Sequence, residues 1–276
     1  MATIAAGIGV PHTPVFPSVV ARKGPDCEEA QLYREVETHL DAANPDVLLI
    51  FSNDHFNTFF YDNFPLFAVG MAAETSGPND ETPMPAYNAP VHEGLARHLR
   101  AHAITGNFDI AEVQEFTLDH SFMVPWHFLN ARQKRPIVPF FIHCFSDPLP
   151  NAARAFALGR ELRAAIESYP GHERVAVIGS GSFSLEIGGP LAPKGERAGT
   201  PDKVWAKFVE DSLRAGDVGS LIREATGERM MRAGNAAGEL LNWLAMLGVC
   251  GVTKPVMLKP QIDHGHAYGV WQAGAP

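Results

Sequence analysis

Cysteine is scarce in this sequence of 276 residues, and the three that occur, Cys27, Cys144 and Cys250, lie far apart. They form no pair with the short spacing of a metal-binding motif, and an odd, scattered set excludes a disulfide framework. This usage is typical of a reducing compartment, so we expect a cytoplasmic protein.

A surplus of basic charge and long apolar runs are also lacking. The sequence has 22 Lys and Arg against 31 Asp and Glu, a formal net charge of −9. This negative net charge, together with the lack of a basic stripe, argues against nucleic acid and anionic membranes as partners. No apolar run approaches the roughly 18 residues of a membrane span. The first residues, MATIAAGIGVPHTP, lack a basic region, so we interpret them as a first strand and not as a signal peptide.

What the sequence does have is material for a large core, because 46% of its residues are hydrophobic. Short apolar runs predict strands whose sheet is covered by helices on both faces. Helical periodicity lies between them, and this alternation predicts one α/β domain over residues 1–276. The predicted strands are 4–10, 47–52, 66–70, 137–141, 175–178 and 256–259, and the predicted helices are 26–43, 92–103, 151–169, 201–216 and 234–249. The polar, proline-rich segment 72–90 is interpreted as the wall or lid of a site.

Metal-capable side chains follow two predicted strands and lie in one predicted helix. His12 occurs in GVPHTP, Asp54 and His55 in LLIFSNDHFN, and Glu239 in GNAAGELLNW. Because strand ends of an α/β sheet meet in one crevice, we expect His12 and His55 to lie close together. A carboxylate among apolar residues is costly unless it is paired or bound to a metal. Two imidazoles and one carboxylate form the facial triad of non-haem Fe(II) oxygenases.

Each of these residues also has a simpler interpretation, and the residue pattern alone leaves it open. His12 and His55 could be caps or loop contacts, and Glu239 could face solvent from a helix edge. Asp54 could be a turn residue, or an acceptor that orients an imidazole.

Six motifs in this order carry a resemblance to a known family: VPHTP, NDHFNTFFYDNFPLFAVG, LDHSFMVPWHFL, IVPFFIHC, GSGSFS and GNAAGELLNWLAM. The sequence resembles the class III extradiol ring-cleavage dioxygenases, which include protocatechuate 4,5-dioxygenase catalytic subunits and gallate and 2,3-dihydroxyphenylpropionate dioxygenases. The resemblance implies a single α/β domain around a mixed sheet, and an Fe(II) cofactor held by His12, His55 and Glu239. It implies a catechol-type aromatic substrate whose ring is opened with O2. It also implies that His120, in LDHSF, is a catalytic histidine beside the substrate.

The glycine-rich loop GSGSFSLEIGG, residues 179–189, departs from the family pattern. The family loop usually reads Gly-Ser/Thr-Gly-Gly-x-Ser-His, and its acid–base histidine falls here on Leu185, which cannot move protons. We expect His120 to do this work instead. Further candidates are Glu186, His143 and the pair His264/His266, although IDHGHAYG could equally be a solvated tail segment.

Candidate substrate contacts are Leu185, Ser184, Asn57 and Tyr61, the last two in the stretch beside the second ligand. Lys259 and Arg232 could pair with a substrate carboxylate, or they could be surface charges.

Two other functions stay open at this stage. The chain could be a catalytically altered or non-catalytic subunit of a hetero-oligomeric dioxygenase, although retention of all three ligand positions argues against that. It could also be a hydrolase that uses the same triad with Zn(II). A phosphate-binding loop is the weakest hypothesis, because no lysine follows the glycines as in a P-loop. The resemblance leaves open whether a small second subunit or a homo-oligomer completes the enzyme.

Overall fold

The computed structural model describes residues 1–187, 198–251 and 254–272. The end of the glycine-rich loop, 188–189, and the end of the predicted domain 1–276 lie outside these ranges. The strands within them are β1 (Thr3–Val10), β2 (Val47–Ser52), β3 (Phe67–Gly70), β4 (Glu74–Gly77), β5 (Tyr87–Pro90), β6 (Ala111–Val113), β7 (Ile137–Ile142), β8 (Arg174–Ser180), β9 (Met257–Gln261) and β10 (His266–Gln272). The α-helices there are α1 (Phe16–Lys23), α2 (Glu28–Ala43), α3 (Glu93–Thr105), α4 (His120–Leu129), α5 (Ala152–Ser168), α6 (Lys203–Ala215), α7 (Val218–Glu224), α8 (Gly227–Ala233) and α9 (Leu240–Cys250).

A mixed sheet of eight strands, in the order β6-β3-β7-β2-β8-β1-β10-β9, forms the centre of the fold. Its four central strands, β7, β2, β8 and β1, run parallel to one another. On the two sides, β3 and β10 pair antiparallel with β7 and β1. The prediction of a single α/β domain with a mixed central β-sheet is confirmed.

Helices cover both faces of this sheet, which explains why its central strands are continuous apolar runs. In β2, Leu49 and Phe51 belong to one hydrophobic cluster, whereas Leu48 and Ile50 belong to another. Residues of α3, α5 and α9 pack in the first cluster, and residues of α2 and α4 pack in the second. In the part of the chain that is described, no helix has the length and apolar character needed to cross a membrane.

Most predicted elements correspond to observed ones, with ends shifted by a residue or two. The main shift is in the last predicted helix, 234–249, because α9 begins only at Leu240, after a 3₁₀ turn at Ala237–Glu239. The helices α1, α4, α7 and α8 were not predicted, since three of them are short and α4 contains Pro125.

Two segments differ from the sequence-based interpretation. The segment 72–90 is not only a loop, because β4 and β5 pair antiparallel in a separate two-stranded sheet. The alternative that IDHGHAYG is a solvated tail is wrong. Strand β10 pairs with both β1 and β9, and His266 is only 2% exposed.

The parallel centre of the sheet is what positions the candidate site. The strands β2, β8 and β1 are neighbours and run in the same direction, so the segments that follow them emerge at one edge. These segments carry His12, His55 and the glycine-rich loop. Helix α9 packs against β8 and β1, which brings the preceding turn, and with it Glu239, to the same edge.

Candidate active site

Three side chains from distant parts of the chain converge at this edge. The Nε2 atom of His12 lies 3.1 Å from Oε1 of Glu239, and Nε2 of His55 lies 3.7 Å from the same oxygen. The centroids of the two imidazole rings are 5.3 Å apart. The structure thus brings together the three residues that the sequence analysis names as candidate metal ligands.

Hydrogen bonds on the outer side of each candidate ligand fix its orientation. The hydroxyl of Ser180, the last residue of β8, lies 2.9 Å from Nδ1 of His12. On the other histidine, Oδ2 of Asp119 lies 2.9 Å from Nδ1 of His55. The backbone N–H of Ser182 donates to Oε2 of Glu239 at 2.6 Å. The inner atoms are the two Nε2 nitrogens and Oε1 of Glu239, and Nδ2 of Asn53 lies 3.2 Å from Nε2 of His55. Outer partners on Nδ1 are usual around metal-binding histidines.

Charges in this buried site shift one another's pKa values. Glu239 is 1% exposed and His12 is 4% exposed. Burial raises the pKa of Glu239, but the two neighbouring imidazoles outweigh burial and leave it at about 2. Burial lowers the pKa of His55, but Asp119 and Glu239 together raise it to about 10. Asp119 and Glu239 therefore make the surroundings of the His55 imidazole favourable for positive charge.

The start of the glycine-rich loop allows Glu239 to approach the backbone closely. Gly181 has a φ of +142°, and a Cβ atom there would lie 2.5 Å from Cβ of Glu239 and 2.8 Å from its Oε2. Only glycine accepts both this backbone conformation and this contact. The glycine that directly follows β8 is thus explained by close packing against the candidate ligand.

A third histidine joins the site from the start of α4. The ring of His120 stacks on that of His55, with 4.2 Å between centroids, and lies 5.6 Å from that of His12. Its Nδ1 lies 2.5 Å from Oδ2 of Asp80, and its backbone N–H donates to the same oxygen. Asp80 therefore holds the ring so that Nε2 is the nitrogen left for a ligand. Burial, followed by the charge of His55, lowers the pKa of His120.

A small cavity opens beside these side chains, and Leu185 is one of the residues in its wall. Apolar side chains form part of its lining, next to the polar groups described above. The lining residues are His12, Thr13, Pro14, His55, His120, Ser182, Leu185, Ile187, Ala236 and Glu239.

The other three candidate substrate contacts do not line this cavity. The amide of Asn57 donates to Oδ2 of Asp119 at 3.4 Å, behind the candidate ligand His55. Tyr61 is 43% exposed and stacks on a neighbouring phenylalanine ring. The buried hydroxyl of Ser184 accepts a backbone N–H at 2.7 Å and donates to backbone carbonyls. Ser184 therefore anchors the loop, and Asn57 supports the site from behind.

The further candidates for proton transfer also lie away from the cavity. Oε2 of Glu186 accepts a backbone N–H at 3.2 Å. Nε2 of His143 lies 2.9 Å from a serine hydroxyl, and Nε2 of His266 lies 2.8 Å from a glutamine oxygen. His264 is exposed at the surface. Of these candidates, only His120 reaches the cavity.

Neither of the two candidate cations for a substrate carboxylate lines the cavity. Nζ of Lys259 lies 3.2 Å from a carboxylate oxygen of Glu35, and the guanidinium of Arg232 lies 3.0 Å from Glu228. The alternative of surface charges fits both positions.

Two acidic residues beside His55, Asp54 and Asp119, have different roles. The carboxylate of Asp54 accepts backbone N–H groups of Asn57, Thr58 and Phe59, so it is the turn residue of the two open alternatives. The acceptor that orients His55 is Asp119, which was not predicted. Its place directly before His120 in LDHSF, as the N-cap of α4, is the signal that could have found it.

Asp80 was also missed, and here no local pattern could have helped. It lies 40 residues before His120 in the chain, within the polar segment 72–90. Only the folded arrangement of that segment against the start of α4 brings the two side chains together.

Comparison with known proteins identifies relatives over nearly the whole chain. A family model described as the catalytic LigB subunit of aromatic ring-opening dioxygenase matches residues 6–273. A 2,3-dihydroxyphenylpropionate/2,3-dihydroxicinnamic acid 1,2-dioxygenase of Photorhabdus laumondii is 32% identical over 222 residues, covering 80% of this chain and 65% of that protein. A gallate dioxygenase of Pseudomonas putida is 31% identical over 182 residues, covering 64% of this chain and 50% of that protein.

The chain thus spans less than two thirds of the length of the first relatives, with 65% and 54% for two of them. A further 2,3-dihydroxyphenylpropionate/2,3-dihydroxicinnamic acid 1,2-dioxygenase, from Burkholderia vietnamiensis, is 27% identical and covers 95% of this chain and 84% of that protein. Among solved structures, an uncharacterized protein of Escherichia coli K12 has a TM-score of 0.55 at 15% identity, covering 90% of this chain and 93% of that one. This last likeness concerns the fold alone.

Proposed function

The chain belongs to the family of catalytic LigB subunits of aromatic ring-opening dioxygenases, and we propose that it opens the ring of a catechol-type substrate with O2. The observation that carries this proposal is the convergence of His12, His55 and Glu239, with Nε2 of the two histidines 3.1 and 3.7 Å from the same oxygen of Glu239. The names of its relatives include dihydroxyphenylpropionate and gallate, which both carry adjacent ring hydroxyls. The proposed substrate class is therefore an aromatic diol.

The metal that we propose is Fe(II), with His12, His55 and Glu239 as ligands. Two imidazole nitrogens and one carboxylate oxygen are the donor set of non-haem Fe(II) oxygenases. Both histidines engage Nδ1 with a fixed partner at 2.9 Å, which leaves Nε2 as the ligand atom. Bound there, Fe(II) would supply open coordination positions for the two hydroxyl oxygens of the diol and for O2.

We assign proton transfer to His120. Because Asp80 holds its Nδ1 at 2.5 Å, Nε2 is the nitrogen that can accept a proton from a substrate hydroxyl and return it later. Burial, followed by the charge of His55, lowers the pKa of His120 below the ~6.5 of a free imidazole, so its neutral ring can accept a proton near neutral pH. Leu185 contributes no proton and instead excludes water from its side of the cavity.

The domain bounds 1–276, a cytoplasmic location and a second subunit or self-association stay predictions.

Oxygen consumption by anaerobically purified, Fe(II)-loaded protein is the direct test, measured with catechols, gallates and aminophenols. We expect O2 uptake together with the absorbance of a ring-opened product for at least one diol, and loss of both in His55→Ala. Turnover with Zn(II) in the absence of O2 would favour the hydrolase alternative. Tight iron binding without turnover of any aromatic would favour a non-catalytic subunit.

A further inference from the structure

The cavity has an apolar wall beside its polar group of candidate ligands. The side chains of Leu185, Ile187, Ala236 and Pro14 line it together with the histidines and Glu239. An apolar wall of this kind favours apolar ligand atoms, because such atoms leave water on binding and need no hydrogen-bond partner in the wall.

None of the described residues that line the cavity offers a partner for a negatively charged substituent. Among its described lining residues there is no lysine or arginine. The carboxylate of Glu239 lines the cavity itself, and Asp80 and Asp119 lie directly behind two of its histidines. A substrate carboxylate placed against Leu185 would thus lose water without gaining a cation from the described lining residues, which is costly.

The backbone around Leu185 is fixed by hydrogen bonds on both sides. The carbonyl oxygen of Leu185 accepts the backbone N–H of Ala236 at 3.0 Å. The N–H groups of Phe183 and Ser184 donate to the carbonyl of Gly265 at 2.9 and 3.1 Å. On the other side, the N–H of Ile187 donates to an asparagine side chain at 2.9 Å. The leucine is therefore held in the wall, which is the condition for a residue to determine specificity.

We propose that Leu185, with Ile187 and Ala236, selects aromatic diols that carry a neutral, apolar ring substituent and discriminates against carboxylated diols. This inference rests on the proposed ring-opening function and names its substrate class. It assigns to Leu185 a role in specificity at a position where the resemblance implies an acid–base histidine.

The test compares 4-methylcatechol with protocatechuate, which place a methyl group or a carboxylate at the same ring position. We expect kcat/KM for 4-methylcatechol to exceed that for protocatechuate by at least roughly 10-fold. Anaerobic calorimetric titration of the Fe(II)-loaded protein should give the same order of affinities without turnover. Leu185→Met should keep the ratio, because it keeps an apolar side chain, whereas Leu185→Arg should reverse it.

The outcomes separate this inference from the function on which it rests. Equal or better use of protocatechuate by the unaltered protein would overturn the apolar selection and leave ring opening intact. An unchanged ratio in a folded Leu185→Arg variant would overturn the role of Leu185. Failure of both diols to bind and to consume O2 would overturn the proposed function itself.

Discussion

We expect metal binding to stabilise the fold by a measurable amount, because the candidate ligands are already held in place. Glu239 is 1% exposed and fixed by a backbone N–H at 2.6 Å, and the two histidines are fixed through Nδ1, so little order has to be created when a cation binds. A ligand at 100 times its Kd stabilises a protein by about 2.7 kcal/mol. For a domain of this size, each kcal/mol raises Tm by roughly 2–4 °C. We therefore expect Fe(II) to raise Tm by roughly 5–10 °C.

Glu239→Gln is the variant that isolates the contribution of the carboxylate. Glutamine has nearly the same shape and can still accept the N–H of Ser182, but it is a far weaker ligand for a hard cation. We expect the metal-dependent rise in Tm to fall to about 1 °C or less. The measurement is anaerobic thermal denaturation followed by circular dichroism, with and without Fe(II), and the Tm of the metal-free variant as its own reference.

Glu161→Gln is the matched control. Glu161 also faces a histidine, since Nδ1 of His102 lies 2.9 Å from its carboxylate, but it does not line the cavity. It should keep the full metal-dependent rise in Tm. An equal rise in the Glu239→Gln variant, or its loss in the Glu161→Gln variant, would refute the assignment of the ligands.

Three further predictions concern catalysis, the loop and acid stability. His120→Phe should lower kcat by ~10²–10⁴ with little change in KM, and Asp80→Asn, which weakens the hold on this ring, should give a smaller loss in the same O2-uptake assay. Gly265→Ala should lower the free energy of unfolding in urea by more than the roughly 1–2 kcal/mol of its left-handed conformation, because a Cβ there overlaps a carbonyl of the glycine-rich loop. Gly216→Ala is the control for the conformational cost, because Gly216 has nearly the same left-handed φ and ψ (73° and 23°) as Gly265 (70° and 25°). Burial, with the charge of His264, lowers the pKa of His266 to about 3, below the ~6.5 of an unfolded chain. Stability should therefore decline as pH falls from about 6.5 towards 3, and pH titration of His266→Gln should show a shallower decline.

The parallel centre of the sheet could be predicted from the sequence because burial on both faces leaves a direct trace. Strand β2 has six buried residues in succession, and a short apolar run of this kind is typical of a strand with helices on both sides. The same geometry made the candidate ligands predictable. His12 and His55 directly follow β1 and β2, and parallel strands that are neighbours or nearly so must end at the same edge.

The edges of the fold could not be predicted, because there the pattern is set by tertiary contacts. In β10, His266 is a polar residue in front of an apolar run. It is nevertheless buried, and its Nε2 has a partner in a glutamine oxygen of β9 at 2.8 Å. In α4, Pro125 suggests a break, yet it lies in a helix whose residues are mostly buried against the sheet. Local propensity is a weak prior where packing decides.

The contacts that complete the candidate site were beyond sequence reasoning for a related reason. Asp119 meets His55 across 64 residues, and Asp80 meets His120 across 40. A carboxylate in a polar segment resembles a surface charge until the partner is known. Asp119 had a local signal as a helix cap, whereas Asp80 had none.

The altered loop can coexist with an intact ligand set, because the ligands depend on the backbone of the loop and the cavity wall depends on its side chains. Glu239 is held by the backbone N–H of Ser182, which any residue except proline would supply. The loop is fixed through the backbone of Leu185, not through its side chain. Changes of side chain at 182 and 185 therefore alter the wall without loosening the ligands. The position that does require its residue type is Gly181, where a Cβ would meet Glu239, and there the loop keeps the family's glycine. The departures at 182 and 185 fall where the backbone carries the structure, a pattern that favours altered specificity over decay of the site.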